Sequence, residues 1–262
     1  MKKFLTLLLT IVLTFSAVMG LTACTDKEVI TVGYTLYEPM NYEDENGKLV
    51  GFDTELAKEV FSNLGYKVRF KLIEWTSKYL ELNSGTIDCI WNGFTANSKE
   101  DDGTARNTLV DFSTYYMQNA QCIVRKGGSD ISDWSAMSEK QVAYEAGSAA
   151  DSLVKDSAPE NAIKKPVSTQ MNAINEVLMG TAAYAVVDVL LAQSICGKGD
   201  YASLVINNGI DLGVEYYAVG FKKGSTLTAK VNAEFVKLAQ NGYVQQLAQR
   251  YNLTNSLLLG LE

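Results

Sequence analysis

The 262-residue chain predicts an α/β protein of two doubly wound lobes joined by a two-strand hinge. Three observations carry that class. Strand and helix patterns alternate between residues 30 and 91. The alternation restarts near residue 141. An apolar run at 216–221 returns the chain toward its first half. Alternating strands and helices build a largely parallel sheet covered on both faces. Two crossings between two such units leave a cleft between them.

Residues 30–34 form an apolar run that reads as a buried strand. Residues 41–48 (NYEDENGK) read as a loop turning at Asn46-Gly47. Asp53 stands where a helix N-cap belongs. Leu56, Ala57, Val60, Phe61 and Leu64 then recur at helical spacing, and Gly65 sits at the place of a C-terminal glycine. Residues 67–73 alternate, with Val68, Phe70 and Leu72 on one face, and predict a strand. A short helix over 77–83 and a strand over 87–91 follow. The stretch CIWNGFT (89–95) ends that strand. Asn-Gly between apolar runs is a hairpin signal, but a strand that follows a helix needs no hairpin. In open parallel sheets ligands bind beyond the carboxyl ends of strands, so Asn92 to Thr95 reads as a ligand mouth.

The second unit runs through a strand at 141–145, a helix opened by Gly147-Ser148, a strand at 162–167, a helix at 170–179, a strand at 183–188 (AYAVVD) and a helix to 195. Residues 231–238 and 244–251 read as two closing helices.

Lys2 and Lys3 precede an uncharged run over residues 4–23 that ends in small residues, which predicts an export signal rather than a spanning helix. Leu21-Thr22-Ala23-Cys24 resembles the lipobox of bacterial lipoproteins. The resemblance implies a signal peptide over 1–23, cleavage before a lipidated Cys24, and a tether over 24–28. Burying acyl chains contributes about 0.8 kcal/mol per CH₂ and holds a domain on a membrane without spanning it. Residues 29–117 with 213–262 are then expected as lobe 1 and 118–212 as lobe 2. Losing Lys2 and Lys3 with the leader takes the formal charge from −7 to −9, which argues against nucleic acid as a partner. Cys89, Cys122 and Cys196 each sit in an apolar run without metal-site spacing and read as buried small hydrophobes. Whether any two of them form a disulfide stays open. The chain has no histidine, the commonest general base and zinc ligand. No metal and no cofactor is expected.

Several stretches together resemble the polar amino-acid family of extracytoplasmic solute-binding proteins, the receptors of ATP-driven importers. They are LVGFDTELAKEV (49–60), IDCIWNGFT (87–95), RNTLVDFSTYY (106–116), AYEAGSAAD (143–151), AAYAVVDVLLA (182–192) and the C-terminal GFKKGSTLTAKVNAEFVKLAQNGYVQQLAQRY (220–251). The similarity runs in order through residues 29–252. It implies a fold like the type II periplasmic-binding proteins and a lipid-anchored receptor, acting as a monomer outside the cytoplasm of a bacterium. Such a receptor binds a polar amino acid between its lobes and hands it to a membrane permease.

The residue types fit a zwitterion. Its carboxylate suits a guanidinium fork and N–H groups at a helix start, which Arg106, Gly147 and Ser148 supply in this reading. Its ammonium suits a carboxylate and carbonyl oxygens, supplied by Asp188, Gly93 and Thr95. The resemblance also puts Phe94 at the ligand contact after Gly93 and Tyr37 against the ligand's side chain; Trp75 is a second candidate wall. The family's arginine usually follows the threonine by four or five residues. Arg106 stands eleven after Thr95, and Lys99 stands four after it. The spacing to Phe112 favours Arg106, and the choice between Arg106 and Lys99 stays open. A second class of reading is an enzyme on the same scaffold, akin to cyclohexadienyl dehydratase, with Glu38 or Glu145 as general acid. A third is a sensor or adhesin that uses the lobes only for contact. Without a histidine or a catalytic constellation, the expectation is a binding protein and not an enzyme.

Overall fold

The computed structural model describes residues 28–260; the export signal and Cys24 lie outside the described residues. Strand β1 (Val29–Tyr34) enters the core, and a small antiparallel pair, β2 (Tyr42–Glu43) and β3 (Leu49–Val50), leads to helix α1 (Phe52–Asn63). Then come β4 (Lys67–Leu72), α2 (Lys78–Asn83), β5 (Cys89–Ile90), α3 (Arg106–Leu109) and β6 (Asp111–Phe112). The chain crosses through β7 (Met117–Asn119) into β8 (Gln121–Lys126), β9 (Gln141–Glu145), α4 (Ala149–Ser157), β10 (Ile163–Val167), α5 (Gln170–Met179), β11 (Tyr184–Asp188), α6 (Val189–Ile195) and β12 (Leu204–Asn207). It returns through β13 (Glu215–Tyr217) and β14 (Gly220–Phe221) to α7 (Leu227–Gln240) and α8 (Tyr243–Arg250).

Two five-stranded sheets result, ordered β4-β1-β5-β14-β6 and β10-β9-β11-β8-β12. Each has a parallel centre, with β1 beside β4 and β5 and β9 beside β10 and β11. Neither is wholly parallel. β14 runs antiparallel to β5 and β6, and β8 antiparallel to β11 and β12. These are the strands by which the chain arrives from the other lobe. They start at the cleft, where the parallel strands end, so they must run the other way. Between the sheets β7 and β13 pair antiparallel, Asn119 opposite Glu215 and Met117 opposite Tyr217. That pair is the hinge.

The packing explains where two local expectations miss. Helix α1 is capped by the Gly51 backbone, not by Asp53. Asp53 lies in the first turn, wholly buried, and its Oδ2 accepts from Gly93 N at 2.7 Å and the Tyr116 hydroxyl at 2.8 Å. On β4, Val68 and Phe70 pack on the core, but Leu72, the last residue of this edge strand, is exposed. Trp91, fully buried, stands edge-to-face against Phe61 and Phe235 and ties α1 and α7 to the first sheet. Among the described residues, all three cysteines are free thiols.

Candidate functional site

The carboxyl ends of the parallel strands of both lobes face each other across a narrow cavity of about 20 Å³. The first lobe contributes Thr35, Leu36, Tyr37, Trp75, Asn92, Gly93, Thr95 and Arg106; the second contributes Glu145, Ser148, Ala149, Gln170 and Asp188.

The floor on the first lobe is built around the turn that ends β5. Asn92 is not free for a ligand. Its amide donates to Thr35 O at 2.9 Å and Asn41 Oδ1 at 2.8 Å, and its carbonyl accepts from the Thr35 hydroxyl at 2.6 Å. The Asn-Gly pair makes no hairpin. Gly93 has φ +56°, and a Cβ there would stand 2.6 Å from Tyr37 Cε1 and 3.0 Å from Tyr217 Cε2. Glycine lets the chain turn between two aromatic rings while Asp53 holds its N–H. Tyr37 closes the floor, its hydroxyl 2.6 Å from that of Tyr217.

Arg106 is 1% exposed. Its Nε donates to Glu100 at 2.8 Å, Nη1 to Thr95 O at 3.2 Å and Nη2 to Gly147 O at 3.4 Å, while the guanidinium lies 5.2 Å from the centre of the Phe94 ring. A guanidinium has five N–H donors, and these bonds use three. Phe94 itself does not line the cavity. It packs beneath it against Trp75 and Phe112, as an aromatic shelf for the cation. Lys99 is half-exposed outside the cavity and pairs with Asp156 at 2.9 Å. The buried lysine is Lys78, which carries no cavity signal in the sequence. Its ammonium lies 5.1 Å over Trp75 and 4.6 Å over Tyr79 and donates to Gly147 O at 3.0 Å. Burial first, then the Arg106 charge, lowers its pKa to about 8.

On the second lobe, Ser148 caps α4, its hydroxyl accepting from Asp151 N at 3.3 Å. The helix start lines the cavity at Ser148 and Ala149, but the Gly147 and Ser148 N–H groups are already held, by Asp151 Oδ2 at 2.8 Å and Glu145 O at 3.3 Å. Gly147, with φ +70°, bends the chain so that its carbonyl meets Lys78 and Arg106 of the other lobe.

Asp188 is buried at the end of β11, and one carboxylate accepts three amides: Asn119 at 2.9 Å, Gln121 at 2.5 Å and Gln170 at 2.5 Å. Burial raises its pKa. Glu215, on the hinge strand β13, accepts from the same Asn119 and Gln121, each at 2.9 Å, and from the Thr95 hydroxyl at 3.2 Å. Burial and the Asp188 charge push it up to about 7. Asn119, Gln121, Gln170 and Glu215 give no local signal, because each works through a partner distant in sequence.

The arrangement offers a cationic fork and aromatic rings from one wall, and a helix start and acids from the other. That chemistry suits a small zwitterion. Among the described residues no cluster of histidine, cysteine or acidic groups could hold a metal ion.

Comparison with known proteins agrees in kind. Residues 30–254 match the bacterial extracellular solute-binding proteins, family 3. The chain is similar to the arginine-binding extracellular protein ArtP of Bacillus subtilis (strain 168), 26% identical over 261 residues that cover 96% of this chain and 98% of that one. An ancestral arginine-binding protein bound to arginine superposes with a TM-score of 0.78 at 29% identity, covering 86% of this chain and 98% of that one. The ancestral amino acid-binding protein AncCDT-1, a precursor of cyclohexadienyl dehydratase, does so with a TM-score of 0.75 at 26% identity, covering 85% and 95%.

Proposed function

The chain belongs to the bacterial extracellular solute-binding proteins, family 3, and from that premise we propose that it binds a free polar amino acid between its lobes and delivers it to the permease of an ATP-driven importer. Family membership puts the protein outside the cytoplasm. Among the described residues no helix is long and apolar enough to cross a membrane, and a lipid on Cys24 is the attachment we infer. One copy suffices, because a single chain supplies both walls.

The observation that carries the reading is that Arg106 on one wall of the cavity faces the start of α4 and Asp188 on the other. The α-carboxylate takes the two remaining N–H groups of Arg106 and the amide of Ala149 at the start of α4. The α-ammonium takes Asp188, Gly93 O and the Thr95 hydroxyl oxygen. Tyr37 and Trp75 flank the side chain. Hydrogen bonds to charged groups contribute about 1.5–3 kcal/mol each. Four or five of them, after association costs, reach about −8 kcal/mol, or micromolar affinity. The protein is a binding protein rather than an enzyme, as its named relatives are.

A thermal-shift screen against the free amino acids tests this. A ligand at 100 times its dissociation constant adds about 2.7 kcal/mol to stability, a clear rise in melting temperature. A flat response to every amino acid would leave only the contact roles. For the anchor, growth with a labelled fatty acid is expected to mark the wild-type protein and not Cys24→Ser; an unmarked wild type would refute the lipid.

A further inference from the structure

We infer that Glu145 selects an amino acid with a positively charged side chain; the inference rests on the amino-acid reading above and names its substrate class. Glu145 ends β9, lines the cavity and is 4% exposed. Its Oε1 has no hydrogen-bond partner. Of the buried side-chain polar atoms in that state among the described residues, it alone belongs to the cavity wall. The neighbouring acids are occupied: Asp188 and Glu215 each accept three donors.

The charged groups facing Glu145 are Asp188, at the end of β11, Lys78 of α2, Arg106 of α3, and Glu74 just before α2. Neither cation is given to it. Lys78 is spent on Gly147 O, Glu100 and two aromatic faces, and Arg106 on Glu100, Thr95 O and Gly147 O. A buried carboxylate oxygen without a donor is costly unless something brings one. The flanking rings of Tyr37 and Trp75 favour an ammonium or guanidinium over an anion.

Burial, then the Asp188 charge, pushes Glu145 up to about 8. At neutral pH it therefore carries a proton in the ligand-free protein. An arriving side-chain cation stabilises the carboxylate, and that proton passes to solvent. An uncharged side chain leaves it in place.

Calorimetric titration of the purified protein with L-arginine, L-lysine and L-glutamine, in two buffers of different ionisation enthalpy at pH 7, tests this. One of the two cationic amino acids should bind at least about tenfold tighter than glutamine. It should release about one proton more on binding than glutamine does, because any α-ammonium acts alike on Asp188 and Glu215. In Glu145→Gln the cation-to-glutamine affinity ratio should fall to about one and the excess proton release over glutamine vanish, while Glu145→Asp keeps that excess. Glutamine binding as tightly as both cations overturns the inference, and so does an undiminished ratio in Glu145→Gln. The wild-type comparison needs no variant to fold. Binding of neutral amino acids alone would defeat this inference and leave the receptor reading standing; no binding of any amino acid would defeat both.

Discussion

Arg106 does several jobs at one atom group. It braces the strand end at Thr95, touches the other lobe at Gly147, and keeps two donors for a carboxylate. Lysine at this position keeps the charge and loses the fork. Arg106→Lys is expected to weaken amino-acid binding about 30- to 150-fold, the loss of about 2–3 kcal/mol of charge-assisted bonding. Lys99→Ala, which removes a half-exposed rim pair, should change it by less than about threefold. Calorimetry on both variants decides between the two cations that the sequence left open. Equal losses would mean that the buried guanidinium is not the carboxylate's partner. A second residue-scale consequence concerns Asp53. Burial raises its pKa from 3.8 to about 7, more than its hydrogen bonds lower it. The folded state thus holds a proton that the unfolded chain has released. The stability it contributes is full below pH 3.8 and is lost as pH rises through 7. Glu145 and Glu215, raised to about 8 and about 7, act in the same direction. The ligand-free protein should therefore lose thermal stability between about pH 5 and pH 7.5, and Asp53→Asn should flatten that slope. A melting temperature that rises over this interval in the wild type would contradict the assignment.

At the scale of elements, the segment 96–105 explains the long spacing before Arg106. It reaches across the cleft to α4. Lys99 O accepts from the Ser152 hydroxyl at 3.1 Å, the Lys99 ammonium meets Asp156, and Asp101 pairs with Lys155. The same segment turns Glu100 inward onto Arg106, Lys78 and Tyr79. It clasps the lobes at the rim and orders the site beneath. Exposed pairs of this kind contribute about 0.2–1 kcal/mol each, so Lys155→Ala should weaken ligand binding about two- to fivefold and reduce its dependence on salt. Titrations at low and high ionic strength read both effects; an unchanged salt dependence would show that the clasp adds nothing to closure. The turn after β5 is less forgiving. Gly93→Ala puts a Cβ at positive φ between Tyr37 and Tyr217 and should cost about 1–3 kcal/mol of stability. Denaturant unfolding measures it, and an unaltered midpoint would mean that the rings move aside freely.

Across the whole molecule, two lobes meet over a small cavity, and the contacts between them come from both walls and from the rim. A ligand that touches Arg106 and Asp188 together favours the closed arrangement over any open one. Amino-acid addition should accordingly shrink the radius of gyration measured by small-angle scattering, or leave it unchanged if the ligand-free protein already rests closed. Expansion would contradict the two-wall site. Several things were determined by the sequence alone. The helix at Gln170–Met179, the cap at Ser148, the glycine after α1 and the strand end at Asp188 were legible, because periodicity, capping and turn chemistry act over a few residues. The tertiary structure alone decided the rest. It turned Asp53 from a helix cap into the holder of Gly93, moved Phe94 beneath the site and Lys99 outside it, and brought Glu145, Gln170, Lys78 and Glu215 to one place. Burial and pairing of a polar side chain depend on partners 40 to 120 residues away, and no local pattern encodes a distance across a cleft.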